Sequence, residues 1–340
     1  MRHIFYLHSN ICAIVSHSII SELIRNNEEV VVVSERKTIF PSFKDQILIY
    51  DIQQVIDTYR KKDQKLIEYV INYRFDLIPQ LRKFAKDVID NQDFILYLPS
   101  CNMFTIQPFL KSKYCKGYYY IEEGTLSYLS KEKLEQRYYT RKYKEGMFLL
   151  DFLKMGIAYE FKVSNKFRGC ICLSDKAYPW CPKNQKTIVD IKDSLAAFEY
   201  SNIATDVVIT TDYLRLQLET YLEAFDIVIN KIVSESSHHR IYIKFHPTAY
   251  LFEETKMNKI MDCLNEKYND IIKGYLPPSF LMEGLLCDNK VSLYSIFGLS
   301  SLLLYALVFG SKAFEVEIDN NDVSINEIVS VDDFLAISNN

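Results

Sequence analysis

The sequence predicts an α/β protein built from two Rossmann-like domains, with the active site in the cleft between them. Three observations lead there. Strand-like and helix-like runs alternate along the whole chain, and several strand runs are apolar at consecutive positions, as parallel strands buried on both faces are. The chain also has 340 residues, beyond the roughly 250 to 300 at which one core stops growing. The division is expected at 1–185 and 186–340.

Composition excludes some classes. A hydrophobic share of 49% with 25% charged residues suits a globular protein, and a net charge of −4 makes no electrostatic case for nucleic acid as partner. The cysteines at 12, 101, 115, 170, 172, 181, 263 and 287 form no CxxC pair and no zinc spacing. They read as free thiols in a reducing compartment, and no metal site is expected. The opening Met1–Leu7 runs straight into a strand pattern without a signal peptide's apolar region, and the apolar run near 301–309 is too short to span a bilayer. A cytoplasmic protein is expected, with no cofactor.

Residues 3–9 (HIFYLHS) read as a buried strand, 11–27 as a helix and 28–34 (EEVVVVS) as a second buried strand. No GxGxxG follows the first strand, which disfavours a dinucleotide site of the usual kind. Ser9 and Asn10 suit a helix cap or a ligand contact. Residues 51–90 have helical spacing, with Pro79 opening or breaking a helix. FILYLP at 94–99 is the next strand, 101–112 a loop and short helix, and 117–121 an aromatic strand running into Glu122-Glu123-Gly124. The basic and aromatic run 131–146 reads as a solvated helix face or as a contact for an anionic lipid-linked acceptor at a membrane surface. A strand and Pro-rich loop follow at 170–183, then a linker over 183–204.

The second half opens with the strand 205–212 (TDVVITTD) and a helix near 213–232. Ile241 to Lys244 form a strand that stops at His246-Pro247. A helix near 253–267, a short strand 271–275, a helix carrying Glu283, a strand 291–298, the apolar helix 301–310 and a strand 312–317 complete the alternation.

The candidate site lies at strand ends, where open α/β sheets bind ligands. Lys244 and His246, two apart, project to one face and suit a phosphate; a strand-end histidine bonded to a loop would look the same. Ser300 and Ser301 open a helix and offer hydroxyls and amides to the same anion. Glu283 suits the hydroxyls of a ribose. Glu122 and Glu123 suit general base catalysis, or else form a solvated turn.

As a set, the acidic pair, the Lys244-Phe245-His246-Pro247 run, the segment from Pro278 to Glu283 and Ser300-Ser301 resemble the bacterial sialyltransferases of glycosyltransferase family 52 and the related polysialyltransferases. That resemblance implies the GT-B fold and metal-independent, inverting transfer of sialic acid from CMP-sialic acid to a hydroxyl of a lipooligosaccharide or capsule glycan. It implies Glu123 as general base, Glu122 as its neighbour, and His246 at the leaving phosphate. Lys244, Pro247, Glu283, Ser300, Ser301 and Thr210 become nucleotide contacts. The expected partners are CMP-sialic acid, a lipid-linked glycan acceptor, the inner membrane surface and a second copy of the chain. A CDP-polyol or CDP-glycerol phosphotransferase and a sugar-nucleotide epimerase are the alternatives, the second needing no acceptor. A non-catalytic capsule assembly subunit would leave the convergent polar groups unexplained.

Overall fold

The computed structural model describes residues 1–35, 43, 46–57, 73–99, 103, 105–136, 165–195, 203–235, 240–247, 249–288, 290–298, 300–319 and 322–338. The chain divides into two compact units, Met1–Glu199 and Tyr200–Asn340. Each is built on its own mainly parallel sheet.

The first sheet takes β1 (Arg2–Leu7), β2 (Glu29–Ser34), β3 (Leu48–Asp51), β4 (Phe94–Leu98), β5 (Cys115–Ile121), β6 (Phe167–Cys172) and β7 (Lys186–Ile188). Its order is β3-β2-β1-β4-β5-β6-β7, with every neighbouring pair parallel. The central strands are apolar on both faces, so β1 and β2 are buried almost throughout. The helix Asn10–Arg25 starts at the cap Ser9, whose hydroxyl accepts from the Cys12 amide.

Two elements differ from the sequence expectation. Residues 48–51 form an edge strand, and Leu48 and Ile49 stay exposed, so its side chains lack the buried alternation that marks a strand. Residues 186–188 pair with Cys170–Cys172, so the stretch read as a linker completes the first sheet and the unit runs on to Glu199. Gly169 makes room for this: it sits at φ 149, and a Cβ there would lie 2.3 Å from the Gln185 carbonyl oxygen. Within 51–90, the helix Ile78–Ile89 carries Pro79 in its first turn, while 58–72 lie outside the described residues. So do 137–146 of the basic run.

The second sheet takes β8 (Val207–Thr211), β9 (Ile241–Lys244), β10 (Ile272–Tyr275), β11 (Ser292–Ile296), β12 (Lys312–Asp319) and β13 (Asp322–Ile328). Its order is β10-β9-β8-β11-β12-β13. The first five are parallel neighbours and β13 returns antiparallel to β12. That hairpin lies past 317, where the strand pattern read from sequence ends. Its core packs Val207, Ile209, Ile243, Phe245 and Ile296 against Phe225, Val228 and Ile229 of the helix Leu218–Glu235.

Both sheets share one plan. Strand order reverses beside β1 in the first and beside β8 in the second. A crevice opens outside the carboxyl ends at such a reversal, and ligands of doubly wound proteins bind there.

Candidate functional site

In the first unit the reversal lies between β1 and β4, and the polar residues gather where β1 and β5 end. His8 directly follows β1, and its Nε2 lies 3.3 Å from Oε2 of Glu123, which follows β5. The Glu123 amide donates to the Ser127 hydroxyl at 3.0 Å, which fixes the turn after Gly124. Glu122, its neighbour, is 0% exposed. Its carboxylate accepts from the Tyr128 hydroxyl and from the Leu173 amide, both at 2.8 Å. Successive residues of an extended chain face opposite ways, so one acid is spent inside the fold and the other meets the histidine.

The Cys12 sulfur lies 3.5 Å from His8 Nδ1, so cysteine, imidazole and carboxylate stand in a line. Burial and the nearby Glu123 push the Cys12 thiol up to about 12. It therefore stays protonated at neutral pH and donates to the Glu122 carbonyl oxygen at 3.5 Å, which removes it as a nucleophile. Glu35, at the end of β2, is a further buried acid, bonded by the Tyr6 hydroxyl. His8 and Glu35 were not singled out in the sequence. The only signal was position: each is the first residue past a buried strand.

In the second unit, Lys244 ends β9 and its ammonium donates to the carbonyl oxygens of Pro277 at 2.8 Å and Pro278 at 3.4 Å. Burial lowers it to about 8, with Glu283 opposing the shift. Glu283 stands in the first turn of the helix Met282–Asp288, and burial raises its carboxyl against the pull of Lys244. His246, just past the strand and before Pro247, meets the Tyr213 ring edge-on, centroids 4.2 Å apart. Burial, opposed by Asp212 and helped by Lys244, holds its imidazole down to about 4. It is neutral at pH 7, so at the phosphate it stands in its uncharged form.

Ser300 caps the helix Ser301–Val308, its hydroxyl accepting from the Leu302 amide at 3.2 Å, with Ser301 as the first helical residue. The Thr210 hydroxyl donates to the Tyr294 carbonyl oxygen at 3.2 Å, inside the sheet. Lys244 and Glu283 thus belong to the β9–β10 side, and Ser300 and Ser301 follow β11, with β8 in between. Among the described residues, no three His, Cys, Asp or Glu side chains form a group that could hold a metal ion, and no helix is long and apolar enough to cross a membrane.

No protein family model and no curated protein matches the sequence. Solved structures do match. UDP-GlcNAc 2-epimerase from Neisseria meningitidis, bound to UDP-GlcNAc, is 12% identical, covers 100% of this chain and 91% of its own, and has a TM-score of 0.50. UDP-GlcNAc 2-epimerase from Methanocaldococcus jannaschii, in complex with UDP-GlcNAc and UDP, is 11% identical over 93% of this chain and 83% of its own, with a TM-score of 0.51. At such identities the likeness is one of fold, and the fold is GT-B: two Rossmann-like α/β units.

The assignment to the family 52 sialyltransferases is overturned by these neighbours, and sialyl transfer from CMP-sialic acid to a surface glycan falls with it. The physical reason lies in the edge itself. The His-Pro after β9, Glu283 in the helix Met282–Asp288 and the serine-headed helix after β11 all follow carboxyl ends of the sheet, where doubly wound proteins of many kinds bind ligands. Such positions follow from the fold and carry no information on which ligand is bound.

Proposed function

We propose that the chain is an epimerase acting on a nucleotide-linked sugar, with UDP-linked N-acetylhexosamines as the substrate class. The observation that carries this is the His8–Glu123 pair at 3.3 Å on the carboxyl edge of the first sheet. Inverting the C–H centre beside the anomeric carbon balances when a base takes the proton while the C–H electron pair forms a double bond and expels the nucleoside diphosphate, which then adds back as a proton arrives on the opposite face; the Glu123 carboxylate, with its imidazole partner, suits the base of the first step. The second unit takes the nucleotide at its own carboxyl edge, where Lys244, Glu283 and the cap of Ser301–Val308 supply charge and amides. Solved proteins of the same fold hold UDP-GlcNAc or UDP, which supports that substrate class. No glycan acceptor is needed, in contrast to a transferase.

The test is solvent exchange. The protein is incubated with UDP-GlcNAc in D2O and followed by proton NMR and mass spectrometry. One sugar C–H signal should fade as deuterium enters, and a second hexosamine epimer should appear. Release of free sugar or UDP without exchange would mark a hydrolase or transferase and overturn the proposal.

A further inference from the structure

The loop after β8, Asp212 to Gln217, sits at the strand-order reversal of the second sheet and holds two side chains out to solvent. Tyr213 is 48% exposed. The Arg215 side chain is 67% exposed, its guanidinium 5.4 Å from the centre of the Tyr213 ring. The other partner of that ring is His246, edge-on at 4.2 Å. A single tyrosine thus sets a planar cation and an imidazole side by side.

The backbone beneath is tightly determined. Leu214 is fully buried with φ 56, a left-handed conformation that costs a non-glycine residue on the order of 1 kcal/mol or more. Asp212 holds the turn from inside: its carboxylate accepts from the Leu214 amide at 2.9 Å, from Arg215 Nε at 3.2 Å and from the Tyr221 hydroxyl. Lys256, in the helix Glu254–Tyr268, ties the loop down, donating to the carbonyl oxygens of Leu214 at 2.7 Å and Leu216 at 3.2 Å. Across the reversal, a Cβ on Gly298 would lie 3.2 Å from Asp212 Cβ, so the chain leading to Ser300 packs directly on this turn. The loop stands between His246 on one side and the Ser300 cap on the other.

Such a constrained turn could have kept its two long side chains packed; it presents them at the place where this fold takes ligands. Resting on the nucleotide-binding role proposed above for this unit, we infer that Arg215, aligned by Tyr213 and Asp212, binds the second phosphate of a nucleoside diphosphate. Arginine's planar fork suits two phosphate oxygens at once, and Asp212 accepting at Nε leaves the outer guanidinium nitrogens for the ligand.

Isothermal titration of the full-length protein with UDP and with UMP tests this. The wild type should bind UDP about tenfold more tightly than UMP, one charge-assisted contact's worth. Arg215→Ala should bring the two within about twofold while leaving UMP affinity unchanged. Tyr213→Leu should reduce the same preference, and Arg240→Ala, which breaks an exposed ion pair with Asp206 at the opposite end of the sheet, should keep it. Where Arg215→Ala fails to fold, Arg215→Gln preserves the bond to Asp212 and serves instead. A UDP preference that survives at position 215, or equal wild-type affinity for both nucleotides, overturns the inference while nucleotide binding stands. If neither nucleotide binds, the nucleotide role of this unit falls and takes the inference with it.

Discussion

The carboxyl edge of the first sheet carries acids, and most of them are turned inward: Glu122 and Glu35 are buried and bonded by tyrosine hydroxyls, and Glu123 meets His8. The carboxyl edge of the second sheet carries two cations, Lys244 buried and Arg215 exposed, with His246 held neutral beside them. The strand orders match through the first five positions, so the difference owes nothing to topology. It lies in what each strand end was given to present. On the function proposed above, the acids of the first edge suit proton transfer and the cations of the second suit an anion.

Three changes would break or sharpen that contrast. The largest effect is expected from Glu123→Gln, which keeps size and hydrogen bonding to His8 but removes the proton acceptor. Turnover in the deuterium assay should fall by about 10²–10⁴-fold with UDP affinity nearly unchanged. Normal turnover in this variant would remove the first edge from the chemistry.

Glu122→Ala should act on stability instead. It strands the Tyr128 hydroxyl and the Leu173 amide in the interior, at a cost of about 3 kcal/mol in a urea titration at constant m-value. A loss below about 1 kcal/mol would mean that the two donors find other partners.

The smallest effect concerns acid. With His246 held near 4 against an ordinary 6.5, the unfolded chain binds a proton between those values that the native chain refuses. Stability therefore falls as pH drops through that window, and His246→Gln should flatten part of the decline. UDP should reverse the sign locally. A phosphate beside the imidazole favours its charged form, so binding near pH 6 should take up a proton, visible as a buffer-dependent heat. A heat independent of buffer would separate His246 from the anion.

Local pattern was enough for the framework. Runs of β-branched and aromatic residues marked β1, β2, β4, β5, β8, β9 and β11, because a strand buried on both faces must be apolar at every position. Edge strands escaped for the converse reason. Leu48–Asp51, Lys186–Ile188 and Asp322–Ile328 have a neighbour on one side only and carry exposed or charged residues that pattern cannot tell from loop.

The sequence by itself also determined which residues stand at strand ends, since Pro247, Gly124 and the serines before Leu302 interrupt regular structure through local chemistry. Only the tertiary structure decided what those residues do there. It turned Glu122 inward and Glu123 toward a histidine 115 positions away, spent Thr210 on the neighbouring strand, and brought Arg215 and His246 onto one tyrosine ring. Side-chain partners at such separations depend on strand order and register, which are set by packing the whole sheet and leave no trace in any single stretch of sequence.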